Sequence, residues 1–254
     1  MEVTLLGTGT STGVPVPGCS CRVCTSADSR DNRTRCSLLV SYAGKNILVD
    51  TATDLRQQML REKVTHIDAV LFTHTHADHI HGIDDLRPFN IAGREAIPVF
   101  AGAAAAKSMK RNFSYIFGNG ERSGYCPRLT LTEVDGPFEL FGLSVTPVPL
   151  IHGNGASLGF RFGPVAYLTD CSAIPEASMP LLKDLKLLIL DALRFRPHVS
   201  HFNIAQAIEQ AEKVGAEQTL LTHLSHDVEH EKHGKGLPGG VEFAFDSQKI
   251  CFAL

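Results

Sequence analysis

The chain has 254 residues, a formal net charge of −3 and 43% hydrophobic residues. Such a length can bury roughly 70–75% of the unfolded surface, and the near-neutral charge excludes the basic footprint of a dedicated nucleic-acid binder. No run of 18 or more apolar residues argues for a membrane span, and Met1-Glu2-Val3-Thr4-Leu5-Leu6-Gly7 has neither a basic n-region nor a long apolar core, so no signal peptide and a cytoplasmic location are expected.

Apolar, β-branched stretches predict strands at Val3–Leu6, Ser37–Tyr42, Asn46–Asp50 and Ala69–Thr73. Tyr42-Ala43-Gly44-Lys45-Asn46 is the hairpin turn between two of them. Further strands are predicted at Leu143–Val148, Val165–Thr169, Leu187–Leu190 and Thr219–Thr222, with Val241–Ala253 extended. Helices are expected at Thr53–Arg61, Ala103–Lys110 and Asn203–Val214; the last puts Ile204, Ala207, Ile208 and Ala211 on one face and is stopped by Gly215. Meanders followed by alternating strands and helices imply an α/β (α+β) chain, an αββα sandwich of two mixed sheets flanked by helices. With no repeat, low-complexity tract or linker, residues 1–254 are expected to form a single domain.

Twelve histidines and seven cysteines are grouped rather than scattered. The strand Ala69–Thr73 runs into His74-Thr75-His76-Ala77-Asp78-His79. Residues two apart at a strand end point the same way, so His74 and His76 can grip one ion together, while Asp78 and His79 follow at the turn and can reach a second. Imidazole and carboxylate hold Zn²⁺ or Mn²⁺ while leaving a position open for water. Cys19-Ser20-Cys21-Arg22-Val23-Cys24 is a second cluster; in a reducing compartment three such thiolates suit a tetrahedral Zn²⁺ better than a disulfide framework. Gly7-Thr8-Gly9-Thr10-Ser11-Thr12-Gly13 follows a strand but carries Thr12 where a dinucleotide fingerprint needs Gly, and Pro15 and Pro17 come where a helix should. It reads as a tight loop near the metals that offers backbone N–H groups to a phosphate. Arg30, Arg33 and Arg35 read as a solvated face, and His66, His81, His230 and His233 as surface residues.

His74-x-His76-x-Asp78-His79 resembles the HxHxDH motif of the metallo-β-lactamase superfamily. The resemblance implies that His74, His76 and His152 hold one metal, that Asp78, His79 and His223 hold another, and that Asp170 bridges the two. His152, Asp170 and His223 each follow an apolar strand, as the family requires. Asp170 stands where classical zinc β-lactamases carry Cys; the adjacent Cys171 points to the other strand face and is read as packing. The chain is similar to the PhnP-like phosphodiesterase branch in Gly7-Thr8-Gly9-Thr10, Gly18-Cys19-Ser20-Cys21, Cys36-Ser37, Leu71-Phe72-Thr73-His74 and Leu221-Thr222-His223-Leu224-Ser225-His226. That branch implies a structural zinc on Cys19, Cys21 and Cys24 with His226 as fourth ligand, and a phosphate-contacting, proton-donating role for His201. Asp78 and His201 are thus the catalytic candidates.

The cofactors implied are two catalytic divalent ions (Zn or Mn) and one structural Zn. The activity implied is hydrolysis of small or cyclic phosphodiesters by a metal-bridging hydroxide. The alternatives are a PqqB-like non-hydrolytic cofactor-biosynthesis protein, a thioesterase, or an RNA-processing nuclease on the same fold. His76 replaces the Glu of the redox members, and Ala101–Arg128 is too short for the RNA-holding arm of the nucleases. The expected partner is a small phosphodiester, with no membrane and no strong nucleic-acid surface; homodimerisation is left open.

Overall fold

The computed structural model describes residues 1–90, 95–118 and 126–253. The chain first lays down β1 (Glu2–Gly7), then the hairpin β2 (Ser37–Tyr42) and β3 (Lys45–Val49), then α1 (Leu55–Arg61) and β4 (Ala69–Phe72). The short helix α2 (Ala77–Ile80) follows β4 directly, and β5 (Ile97–Ala101), α3 (Ala103–Asn112), α4 (Ser114–Phe117) and β6 (Leu129–Glu133) come next. The second half runs β7 (Phe138–Leu140), β8 (Leu143–His152), β9 (Gly155–Phe162), β10 (Val165–Leu168), β11 (Leu187–Asp191), α5 (Ile204–Val214) and β12 (Gln218–Thr222). It ends in α6 (His230–Gly234), β13 (Val241–Phe243) and β14 (Lys249–Cys251).

These strands form two seven-stranded sheets. The first has the order β14-β1-β2-β3-β4-β5-β6, the second β13-β12-β11-β10-β9-β8-β7. Each mixes antiparallel meanders with parallel pairs: β3–β4 and β4–β5 in one, β10–β11 and β11–β12 in the other. The expected αββα arrangement is therefore present, and its cause lies in the strands that are apolar on both faces. In β11, Leu187 and Ile189 face the other sheet, meeting Val3, Leu38, Ile47 and Leu71, whereas Leu188 and Leu190 face α5 through Ile204, Ala207 and Ala211. On the outer side of the first sheet, Leu48, Val70 and Phe72 are covered by Leu55 and Met59 of α1 and by Ala106 and Met109 of α3.

All eight predicted strands and three predicted helices occur, with ends shifted by a few residues; Leu143–Val148 extends to His152. Asn203 closes α5 with a capping box, its side chain accepting from the Gln206 N–H while Gln206 accepts from its own, and Gly215 stops the helix at φ 68°. β5, β6, β7 and β9 were not foreseen. Part of the Ala101–Arg128 segment, residues 119–125, lies outside the described residues.

Three sequence expectations are corrected. Arg33 is not part of a solvated face: its side chain is fully buried, paired with Asp31 at 2.9 Å and donating to the carbonyls of Ser225 and Val228. It ties the loop after β1 to the loop after β12. His230 is buried as well, and its backbone N–H donates to Asp31. The Gly7–Gly13 loop keeps four of its amides from a ligand: those of Thr8, Gly9, Thr10 and Gly13 are bonded to Asp246, Thr34, Leu224 and Thr10 respectively. Gly7 is required there, since a Cβ would stand 2.0 Å from the Arg35 carbonyl oxygen.

Candidate metal centre

Both sheets end their parallel strands at one edge, and the titratable side chains meet there. His74 and His76 follow β4, and Asp78 and His79 sit in α2. His152 is the last residue of β8; Asp170 follows β10 and His223 follows β12. Asp170 and His223 adopt left-handed backbone, φ 54° and 61°. This conformation costs roughly 1–2 kcal/mol in a non-glycine residue. It breaks the strand periodicity at the residue whose side chain enters the cluster, and the buried surroundings hold it there.

Asp170 divides the cluster. Its Oδ1 lies 3.1 Å from His79 Nε2 and 3.4 Å from His223 Nε2, its Oδ2 3.7 Å from both His74 Nε2 and His152 Nε2. His76 Nδ1 is 3.2 Å from His152 Nε2 on one side; Asp78 Oδ2 is 3.3 Å from His79 Nε2 on the other. Donor atoms of His74, His76, His152 and Asp170 thus converge in one group, those of Asp78, His79 and His223 in a second, and Asp170 faces both. All seven ligands expected from the sequence are brought together.

The donor set fits cations. The Nε2 atoms of His74, His79 and His223 are buried without a hydrogen-bond partner, an arrangement costly unless something electropositive meets them. Burial raises the Asp170 carboxyl, but His223, His79 and His74 outweigh it and hold the group well below the usual carboxylate range. Burial likewise lowers His79, and Asp170 and Asp50 outweigh it, raising the imidazole well above its ordinary value. Burial lowers His74 and His152, whereas Asp170 outweighs it at His79 and His223; divalent ions held there would offset the same carboxylate charge.

Around the candidate ligands lies a shell that orients them. Asp50, which ends β3 at φ 62°, has its Oδ2 2.7 Å from His79 Nδ1 and accepts from the N–H and hydroxyl of Thr73. The Ser200 carbonyl oxygen is 2.7 Å from His152 Nδ1. Asp191, fully buried at the end of β11, accepts from His201 Nδ1 at 2.9 Å and from the Cys171 N–H, and its other oxygen is 3.7 Å from His223 Nδ1. His201 therefore joins the site: its ring stacks on His223 at 4.6 Å and its Nε2 is 4.0 Å from Asp170 Oδ2. Sequence reasoning missed Asp50 and Asp191. Both close an apolar strand, Ile47-Leu48-Val49-Asp50 and Leu188-Ile189-Leu190-Asp191, the same signal that marked Asp170. Cys171 packs in the core, as expected.

The second cluster is three residues from His223. Cys19, Cys21 and Cys24 place their Sγ atoms 3.4, 3.6 and 3.4 Å from His226 Nδ1. Val16 N–H donates to Cys24 Sγ and Cys24 N–H to Cys21 Sγ.

Residues 45–224 match the model of the beta-lactamase superfamily domain. A crystal structure of a new diphosphatase from the PhnP family superimposes with a TM-score of 0.93 at 44% identity, covering 100% of this chain and 98% of that one. The chain belongs to the PhnP-like branch of the metallo-β-lactamase superfamily. An octanoyltransferase of Porphyromonas gingivalis is 41% identical over 251 residues, 97% of this chain but 50% of that protein. The chain thus spans about half the length of that curated relative. Zn²⁺-bound PqqB of Methylobacterium extorquens, with a TM-score of 0.81 at 19% identity over 99% of this chain and 100% of that one, shares the fold. Among the described residues no helix is long and apolar enough to cross a membrane.

Proposed function

We propose that this chain is a dinuclear metal-dependent phosphodiesterase acting on small or cyclic phosphodiesters. The observation that carries the reading is the Asp191–His201 pair, whose outer nitrogen faces the bridging carboxylate Asp170 from beside the ligands. Two divalent ions, zinc or manganese, would supply an acidified water and electrophilic stabilisation of the phosphoryl oxygens when held by the seven ligands. The protein's own work lies around them. Asp170 fixes the separation of the two groups of imidazoles. Asp50 and the Ser200 carbonyl lock the ring planes of His79 and His152. Asp191 holds His201 through Nδ1, so that Nε2 is turned toward the site and can pass a proton to the departing oxygen.

The intact ligand set favours hydrolysis over a non-hydrolytic role like that of PqqB. A second reading, cleavage of a diphosphate bond, is favoured by the 44% identical diphosphatase. Turnover assays under Zn²⁺ and Mn²⁺ with bis(p-nitrophenyl) phosphate, nucleoside cyclic phosphates, a diphosphate diester, a thioester and a β-lactam decide among them. Preference for the thioester or the lactam would remove the phosphodiesterase reading.

We also propose a structural zinc on Cys19, Cys21, Cys24 and His226. Zn–S bonds of about 2.3 Å and a Zn–N bond of about 2.0 Å at the tetrahedral angle require S···N edges of about 3.5 Å. The three distances of 3.4–3.6 Å to His226 Nδ1 support that geometry.

A further inference from the structure

Two cavities meet at His74, Thr75 and Ala156, and their walls differ. One, of about 560 Å³, lies on the side of His152, Val199 and Ser200, next to His201. The other, of about 310 Å³, lies on the far side of His74 and is walled by Ala103, Ala104 and Ala105 of α3's first turn, Val134, Pro149 and Leu158. Among the described residues no Lys, Arg, Asp or Glu lines this second cavity. Two of its hydroxyls are already engaged, Thr73 donating to Asp50 and Ser157 to the Asp170 carbonyl. Gly102 lets the wall close, since a Cβ there would meet Leu158 Cδ1 at 3.1 Å.

We infer that the α3-side cavity is a subsite for an uncharged alkyl or acyl substituent of the substrate, retained on phosphorus while the other substituent leaves on the His201 side. This rests on the reading of the metal centre as a phosphoester hydrolase. A second anionic phosphate or a sugar would find no cation and few free donors in the cavity, and an anion would be desolvated there unpaired. An alkyl group would be covered by side chains of its own kind. At about 30 Å³ per water-sized group, the cavity of about 310 Å³ accommodates roughly ten carbons.

Calorimetric titration of the metal-loaded protein with alkylphosphonates from methyl to dodecyl tests the subsite without requiring turnover. Affinity should rise roughly two- to fourfold per methylene and level off near the decyl member. Ala104→Phe, at an exposed first-turn position, should flatten the series, so that the octyl-to-methyl affinity ratio falls at least tenfold (roughly the gain of two buried methylenes). A flat series in the unsubstituted protein, or a slope that survives Ala104→Phe, would overturn the subsite. Separately, failure to hydrolyse methyl p-nitrophenyl phosphate would count against the functional reading alone.

Discussion

Asp170 is buried, ionised and shared, and each property makes its replacement severe. Asp170→Ala removes the one carboxylate that touches both imidazole groups, so turnover should be nearly abolished with loss of bound metal, checked by elemental analysis beside activity. A fully loaded, active variant would deny it the bridging role. His201 calls for a finer test. If its Nε2 protonates the departing oxygen, His201→Ala should slow an alkyl or ribosyl phosphodiester by ~10²–10⁴-fold but bis(p-nitrophenyl) phosphate far less, at unchanged metal content. Equal losses on the two would reduce His201 to binding phosphate. The candidate ligands could be picked out because each ends an apolar strand or belongs to one compact motif. Asp50 and Asp191 carry the same local signal, but their partners, 29 and 10 residues away, exist only after folding. The left-handed turns at Asp170 and His223 had no sequence mark at all.

Strands that are apolar on both faces, such as β11 and β12, could be read directly. The missed ones break the rules that reading depends on: Pro98 sits inside β5, which is paired on both sides, β6 is an edge strand with exposed positions, β7 has three residues, and β9 opens on glycine and alanine. The loop after β1 was legible for its cysteines and misread at Arg33. Arg33 is a strut between two loops, and Arg33→Met would leave Asp31 buried without its partner. Removing one member of a buried pair costs about 3–5 kcal/mol, and denaturant unfolding at neutral pH should show a loss of that order. His230 adds a pH effect. Its burial, with the charges of Arg30 and Arg33, lowers the imidazole from 6.5 to about 4. The unfolded chain therefore binds this proton more readily, so the stability present above pH 6.5 is lost as pH falls toward 4. The melting temperature of His230→Leu should fall less over that window than that of the unsubstituted protein; parallel curves would acquit His230.

At the scale of the molecule, three candidate metal clusters draw from both sheets. His74 and His76 follow a strand of the first sheet while His152 and Asp170 belong to the second; Asp78 and His79 face His223 in the same way. The thiolates follow β1, and their partner His226 follows β12. Metal removal should therefore uncouple the halves. In the loaded protein, amides of β4 and β11 should exchange hydrogen only through a common global opening; after chelation their protection should diverge. Identical protection before and after chelation would show that the apolar interface alone joins the sheets. Activity would then serve as a certificate of integrity: a molecule with either half ajar would give up its ions and fall silent.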